Sequence, residues 1–170
     1  MFRKILLFLA LCMFMPSVVV FTQESEQEEV SVKKEDFWIG LGGDAALYSV
    51  SGAAYGGSFA LGYGSGASIG LKVSWFFWEE GFDTLELNFL LRLYLLGMNA
   101  YSGPFLQIMG GPALFNRTGD FSIPSRVGAI QAGLCFGWRF VLLDRLFVEP
   151  YIRGGYPYIA GAGVLVGVRF

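Results

Sequence analysis

The sequence contains no histidine and only two cysteines among its 170 residues. Histidine is the commonest general base and metal ligand, so its absence excludes triads built on Ser-His or Cys-His and most zinc sites. The cysteines, Cys12 and Cys135, fall on opposite sides of the export-signal cleavage site predicted below. No internal disulfide is therefore expected in the mature chain. These absences predict a protein that is not an enzyme and that uses no cofactor and no metal.

Charged residues are also scarce, at 15% of the chain. The 12 Lys and Arg against 14 Asp and Glu give a net charge of -2, which provides no electrostatic footprint for nucleic acid. In contrast, 54% of the residues are hydrophobic and the mean hydropathy is +0.53. A chain of this composition is too apolar to be disordered and unusually apolar for a soluble domain. The length allows one domain, and the composition indicates a membrane protein.

The N-terminal 36 residues divide into two segments. Residues 1–22 begin with Arg3 and Lys4 and continue as an apolar run of 17 residues interrupted by Pro16, which is the pattern of a secretory signal peptide. An uncleaved helical anchor would need about 20 apolar residues, and it remains an alternative, as does lipidation at Cys12. Residues 23–36 carry six acids and two bases. They are expected to form a solvated N-terminal segment, with an acidic docking tail as the alternative.

Residues 37–170 contain no apolar stretch of 18 residues, so transmembrane helices cannot account for the hydropathy. Instead, every odd position from Leu85 to Leu95 is apolar, while the even positions include Glu86, Asn88 and Arg92. This period of two residues predicts strands. The same pattern predicts eight of them, at about 37–49, 54–64, 67–78, 84–96, 103–115, 126–140, 146–157 and 159–170. The predicted fold is an all-β, eight-stranded antiparallel up-and-down transmembrane β-barrel.

The charged residues within the predicted strands all lie on the face opposite the apolar stripe, together with many glycines. They are Asp44, Lys72, Glu86, Arg92, Arg139, Glu149, Arg153 and Arg169. A membrane barrel turns its apolar face to lipid and its polar face to the interior. The alternative is a soluble periplasmic barrel of the lipocalin type, in which the apolar stripes would face inward.

Two hypotheses follow for these interior charges. In the first, they form an ion-pair network that fills the barrel, because an unpaired buried charge is costly. Glu149 is then expected to bridge Arg139 and Arg169, with Asp44, Lys72, Arg92 and Arg153 closer to mid-height. In the second, the five bases and three acids line a narrow path that prefers anions. Cys135 is predicted to face inward as a small packing residue.

Aromatic residues cluster near the predicted strand ends, which is typical of the interfacial girdles of membrane barrels. They are Phe37, Trp38, Tyr48, Trp75, Trp78, Tyr101, Phe105, Phe115, Trp138, Phe140, Tyr151, Tyr156, Tyr158 and Phe170.

The signal-peptide pattern, the run of alternating strands and the C-terminal residues Val164, Val166, Val168 and Phe170 resemble those of the small eight-stranded outer-membrane proteins of diderm bacteria. That family includes OmpW, OmpX, the opacity-like proteins and the barrel domain of OmpA. The resemblance implies residence in the bacterial outer membrane, contact with its lipid, and both termini in the periplasm. It also implies that Val164, Val166, Val168 and Phe170 form an assembly signal for the barrel-assembly machinery. A monomer is expected.

Three functions remain open at this level. A structural role, or a narrow channel for small molecules, is the first hypothesis. The OmpW resemblance suggests hydrophobic solutes that leave sideways where Pro112 or Pro150 interrupts strand pairing. The second is a surface barrel that binds ligands or host factors through its outer loops, near 50–53, 79–83, 116–125 and 157–158, all of which are short. The third is the soluble lipocalin-type binding barrel.

Overall fold

A computed structural model describes residues 37–48, 52–78, 82–96, 102–117 and 127–170. The predicted signal peptide and the acidic segment lie outside these residues. The described chain forms eight strands: β1 (Phe37–Tyr48), β2 (Gly52–Gly64), β3 (Ala67–Trp78), β4 (Phe82–Tyr94), β5 (Gly103–Arg117), β6 (Val127–Leu142), β7 (Leu146–Tyr156) and β8 (Tyr158–Arg169). Within this part of the chain no helix is long and apolar enough to cross a membrane.

Each strand pairs antiparallel with the next, and β1 pairs antiparallel with β8, which closes the barrel. The closing ladder extends from Trp38 opposite Arg169 to Tyr48 opposite Tyr158, with a register shift between Leu47 and Tyr48. The predicted eight-stranded up-and-down barrel is therefore confirmed, and each strand begins and ends within two residues of its predicted bounds. The end of the barrel where β1 begins and β8 ends is called the terminal end here, and the opposite end is called the far end.

The side chains alternate between the two faces of the wall as the period of two residues requires. On β4, Leu85, Phe89 and Leu93 are exposed on the outside, whereas Glu86 and Arg92 are buried inside. Among the described residues, 33 large hydrophobic side chains are exposed. Because the apolar stripes face outward, the soluble lipocalin-type alternative, which required them to face inward, is wrong.

Large aromatic side chains fill the interior, and glycines on the neighbouring strands make room for them. Trp38 lies opposite Gly62 on β2, and a Cβ at Gly62 would overlap the indole ring. In the same way, a Cβ at Gly137 would lie within 3 Å of both Phe105 and Tyr151. The glycines of the inner face therefore leave the space that the aromatic rings occupy.

This packing corrects the prediction of interfacial girdles for part of the aromatic residues near the strand ends. Six of them are buried inside the barrel: Trp38, Tyr48, Trp78, Phe105, Tyr151 and Tyr158. Others lie on the outer wall as predicted, including Phe37, Trp75, Phe140 and Tyr156. Phe115 and Trp138 are half-buried, and Tyr101 lies outside the described residues.

The two prolines of the side-exit hypothesis do interrupt strand pairing. The β4–β5 ladder is broken at Leu87 and Asn88, opposite Pro112 and its neighbour, and the β6–β7 ladder is broken opposite Pro150. The cause is that proline has no backbone N–H to donate. The strands nevertheless stay in contact at both places. A Cβ at Gly111 would overlap the carbonyl of Leu87, and one at Gly137 would lie 2.8 Å from the carbonyl oxygen of Pro150.

Candidate functional site

Seven of the eight charged residues predicted for the interior are buried inside the barrel: Asp44, Lys72, Glu86, Arg92, Arg139, Glu149 and Arg153. They form three groups, which we call the terminal-end cluster, the central triad and the far-end cluster. The eighth residue, Arg169, is half-exposed at the terminal end.

The terminal-end cluster is built on Glu149, whose side chain is fully buried. Its Oε1 accepts hydrogen bonds from Arg92 Nη1, at 2.7 Å, and from Arg139 Nε. Arg92 also donates to Gln107 Oε1 at 3.0 Å and to the Tyr94 hydroxyl at 3.2 Å. One carboxylate therefore holds two guanidinium groups, one from the adjacent strand β6 and one from β4 across the barrel.

Aromatic rings enclose the two guanidinium groups of this cluster. Arg92 Cζ lies 4.1 Å from the ring centroid of Phe105, and Arg139 Cζ lies 4.1 Å from that of Phe147. Trp38 lies against both, with centroid distances of 4.9 and 5.0 Å. Contacts of this kind are favourable for desolvated cations, so the rings stabilise the buried charge as well as occupying the cross-section.

The central triad consists of Asp44, Lys72 and Tyr151. Lys72 Nζ donates to Asp44 Oδ1 at 2.8 Å, and the Tyr151 hydroxyl contacts both groups. These residues come from β1, β3 and β7, so the triad links three separate parts of the wall across the interior.

The far-end cluster is built on Glu86. Its two carboxylate oxygens accept from the Tyr48 hydroxyl at 2.6 Å and from Arg153 Nη1 at 2.9 Å. The guanidinium group of Arg153 stacks on Tyr158 at 4.2 Å and on Phe76 at 4.9 Å. Trp78 and the half-buried Phe115 complete the aromatic packing around Tyr48.

The expected pairing of Glu149 with Arg139 and Arg169 needs correction. Glu149 does hold Arg139, but its second partner is Arg92. Glu149 lies opposite Leu165 on β8, four residues before Arg169, which is about 13 Å along a strand. Arg169 instead donates from Nε to the backbone carbonyl of Asp144 at 2.6 Å.

The mid-height group expected from the sequence is also divided. Asp44 and Lys72 do pair with each other, but Arg92 belongs to the terminal-end cluster and Arg153 to the far-end cluster. Strands in a barrel are tilted, so residues at similar positions along different strands do not share one height. Strand order alone therefore could not assign the partners.

The neutral hydrogen-bonding partners were missed at the sequence level. They are Gln107 and the tyrosines Tyr48, Tyr94 and Tyr151. Their odd or even positions along the strands could have identified them as interior residues, because each lies on the same face of its strand as an interior charge or glycine. Cys135 is buried on the inner face, as expected.

The interior charges leave one base in excess, with Lys72 and three arginines against three acids. The excess belongs to the terminal-end cluster, where two arginines share Glu149. A cavity of about 10 Å³ lies between this cluster and the central triad, bordered by Glu149, Lys72 and Cys135. That volume accommodates about one water molecule. Within the described residues, no group of three His, Cys, Asp or Glu side chains could hold a metal ion.

Three residues of the expected assembly signal lie on β8, and the fourth, Phe170, directly follows it. Val164, Val166 and Phe170 are exposed on the outer wall, and Val168 is half-buried. The backbone N–H of Phe170 donates to the carbonyl of Phe37 at 2.8 Å, and the two rings are 6.1 Å apart. This contact joins the residue that directly follows β8 to the first residue of β1.

Three solved structures with a similar fold are eight-stranded outer-membrane barrels. The N-terminal β-barrel domain of OprF from Pseudomonas aeruginosa matches with a TM-score of 0.55 at 19% identity, over 79% of this chain and 97% of that one. Neisserial surface protein A matches with a TM-score of 0.57 at 14% identity, over 79% and 95%. Ail, the attachment invasion locus protein of Yersinia pestis, matches with a TM-score of 0.50 at 11% identity, over 82% and 100%.

Comparisons with protein-family models and with curated proteins found no match. At these identities the structural likeness establishes the fold, which is that of the small eight-stranded outer-membrane barrels.

Proposed function

We propose that this protein is an integral barrel of the bacterial outer membrane whose interior is closed, with a structural and non-catalytic role. The observation that carries the proposal is the division of the wall into an apolar outer face and an interior of paired charges and aromatic rings. An outer face of this kind is stable against lipid and unstable against water.

The packing at both ends of the barrel supports the proposed closure. Trp38, Phe105 and Phe147 lie on the arginines of the terminal-end cluster, while Tyr158 and Phe76 lie on Arg153 at the far end. An eight-stranded barrel has an interior only wide enough for its own side chains. A solute would therefore have to displace buried ion pairs in order to pass.

A narrow anion path is the second candidate function. The single excess base in the interior favours it, because a positively charged path attracts anions. This function requires the aromatic rings at both ends to move aside, and ion conductance across a planar bilayer that contains the refolded protein separates the two candidates.

The side-exit route for hydrophobic solutes receives less support. Strand pairing is interrupted at Pro112 and Pro150, but the neighbouring backbones remain in contact there. The hypothesis of binding through outer loops concerns segments that lie partly outside the described residues, and no contact described above favours it.

Membrane residence can be tested by fractionating cells that express the full chain. The protein is expected in the outer-membrane fraction, released by detergent and retained after washes with high salt or carbonate. Release by a salt wash without detergent would contradict the proposal, because it would mean that the apolar wall is not held in lipid.

A further inference from the structure

A cavity inside the barrel lies between the terminal-end cluster and the central triad. Its volume is about 10 Å³, and its polar lining includes Arg92 and Glu149 from the cluster and Lys72 and Tyr151 from the triad. Each of these four side chains is at most 8% exposed. A cavity of this size holds a single water-sized molecule. Any occupant is therefore in contact with these groups rather than with bulk solvent.

Glu149 contributes an acceptor that the ion pairs do not use. Its Oε1 accepts hydrogen bonds from both Arg92 and Arg139. Its Oε2 has no hydrogen-bond partner among the described residues, although the side chain is fully buried. A buried carboxylate oxygen without a donor costs free energy, and most such groups in folded proteins are paired with protein atoms or with ordered water. An occupant of the cavity that donates a hydrogen bond would complete the pairing of Glu149.

Lys72 contributes a donor to the same cavity. Its ammonium group carries three hydrogens. One is directed to Asp44 Oδ1 at 2.8 Å and one to the Tyr151 hydroxyl at 2.5 Å, while that hydroxyl donates its own hydrogen to Asp44. The contacts within the described part of the chain therefore leave the third hydrogen for an occupant that has a lone pair.

We propose that the cavity binds one water molecule, which accepts a hydrogen bond from Lys72 Nζ and donates one to Glu149 Oε2. The inference rests on the proposed closed interior, because an open barrel would not hold a single isolated water molecule. The water joins the terminal-end cluster to the central triad. Paired side chains from β1, β3, β4, β6 and β7 then belong to one hydrogen-bonded network.

The chemistry of the lining selects water over an ion. A metal cation would be repelled by Lys72 and Arg92, and it could not accept a hydrogen bond from Lys72. A halide can accept from Lys72, but it has no hydrogen for Glu149 Oε2 and is repelled by that carboxylate. Water both donates and accepts, and its size matches a cavity of about 10 Å³.

Crystallography of the full-length protein, refolded in detergent, tests the site directly. We expect one isolated density peak about 2.7–3.2 Å from both Glu149 Oε2 and Lys72 Nζ. The crystals are grown with bromide in place of chloride, so that a halide at this position would give an anomalous signal. An anomalous signal there, a protein donor on Oε2, or no peak where other buried waters are visible would overturn the proposal.

A matched pair of variants at Cys135, which lines the cavity, tests the site in lipid vesicles. Valine and threonine have nearly the same shape, so Cys135→Val and Cys135→Thr both occupy the space of the water. Only threonine brings a hydroxyl that can donate and accept in its place. In denaturant titrations we expect the unfolding equilibrium constant of Cys135→Val to exceed that of Cys135→Thr by about 5- to 150-fold, because valine leaves buried groups of Glu149 and Lys72 unpaired.

A dry cavity predicts the opposite order, because valine would fill it with favourable contacts and threonine would bury an unpaired hydroxyl. If Cys135→Val were as stable as Cys135→Thr, or more stable, the water site would be overturned and the closed barrel would remain intact. A continuous file of ordered water from the terminal end to the far end in the crystal would contradict both the isolated water and the closed interior.

Discussion

Replacing Glu149 by glutamine keeps the size of the side chain and removes the carboxylate that Arg92 and Arg139 share. Glu149 is fully buried, and each arginine is only 3% exposed, so water cannot easily replace the lost partner. Removing one partner of a buried ion pair costs about 3–5 kcal/mol, because the opposite charge stays buried without compensation. We expect Glu149→Gln to lower the free energy of unfolding by about this amount.

The measurement is a denaturant titration of the protein refolded in lipid vesicles, followed by tryptophan fluorescence. Asp144→Asn is the matched control, because it removes a carboxylate from an exposed turn and should change stability by no more than about 0.5 kcal/mol. A loss below about 1 kcal/mol in Glu149→Gln would refute the argument that this carboxylate compensates two buried charges.

A double variant tests the same pairing independently. Once Glu149 is replaced, Arg139 has lost the carboxylate that holds it, so the further change Arg139→Gln should cost less than it does alone. The double variant is expected to lose less stability than the sum of the two single losses, by more than about 0.5 kcal/mol. Sites that do not interact deviate from additivity by no more than about this amount. Additive losses would show that the two residues are not coupled.

The other predictions concern the outer face of the barrel, the packing of interior aromatic rings against glycines, and the buried Cys135. Phe89→Arg, which places a charge in the middle of the outward face of β4, should cost about 2–4 kcal/mol in vesicle unfolding, whereas Asp83→Arg at the rim should cost at most about 1 kcal/mol. Gly62→Ala should destabilise the barrel by about 1–3 kcal/mol, measured in the same way, because the added Cβ overlaps the ring of Trp38. Cys135 should resist maleimide in the folded protein and react after denaturation, and rapid labelling of the folded protein would mean that the interior is open to solvent.

The strands could be predicted closely because local sequence determines them. The outward stripe from Leu85 to Leu95 alternates with interior residues over the whole of β4, and that period fixes both the element and the face it presents. The same parity would have indicated that Trp38 lies inside, because it shares a face with Gly40 and Asp44, but its position near a strand end predicted an interfacial girdle. For an aromatic residue near a strand end, the face of the strand on which it lies indicates its location better than its distance from the strand end does.

The partners of the interior charges could not be predicted in the same way. Glu149 meets Arg92 from β4 across the barrel, a contact that depends on the tilt of the strands and on the size of the side chains between them. Neither quantity is encoded within a single strand. The division of the charges into two clusters and a triad is therefore a property of the closed barrel.

The most direct test of the closed interior is ion conductance across a planar bilayer that contains the refolded protein. Folded, inserted protein is expected to produce no discrete current steps, because aromatic rings and paired charges occupy both ends of the barrel. Discrete steps that prefer anions would contradict this account, and they would instead make Lys72, Arg92 and Arg153 parts of a selective path through an open barrel.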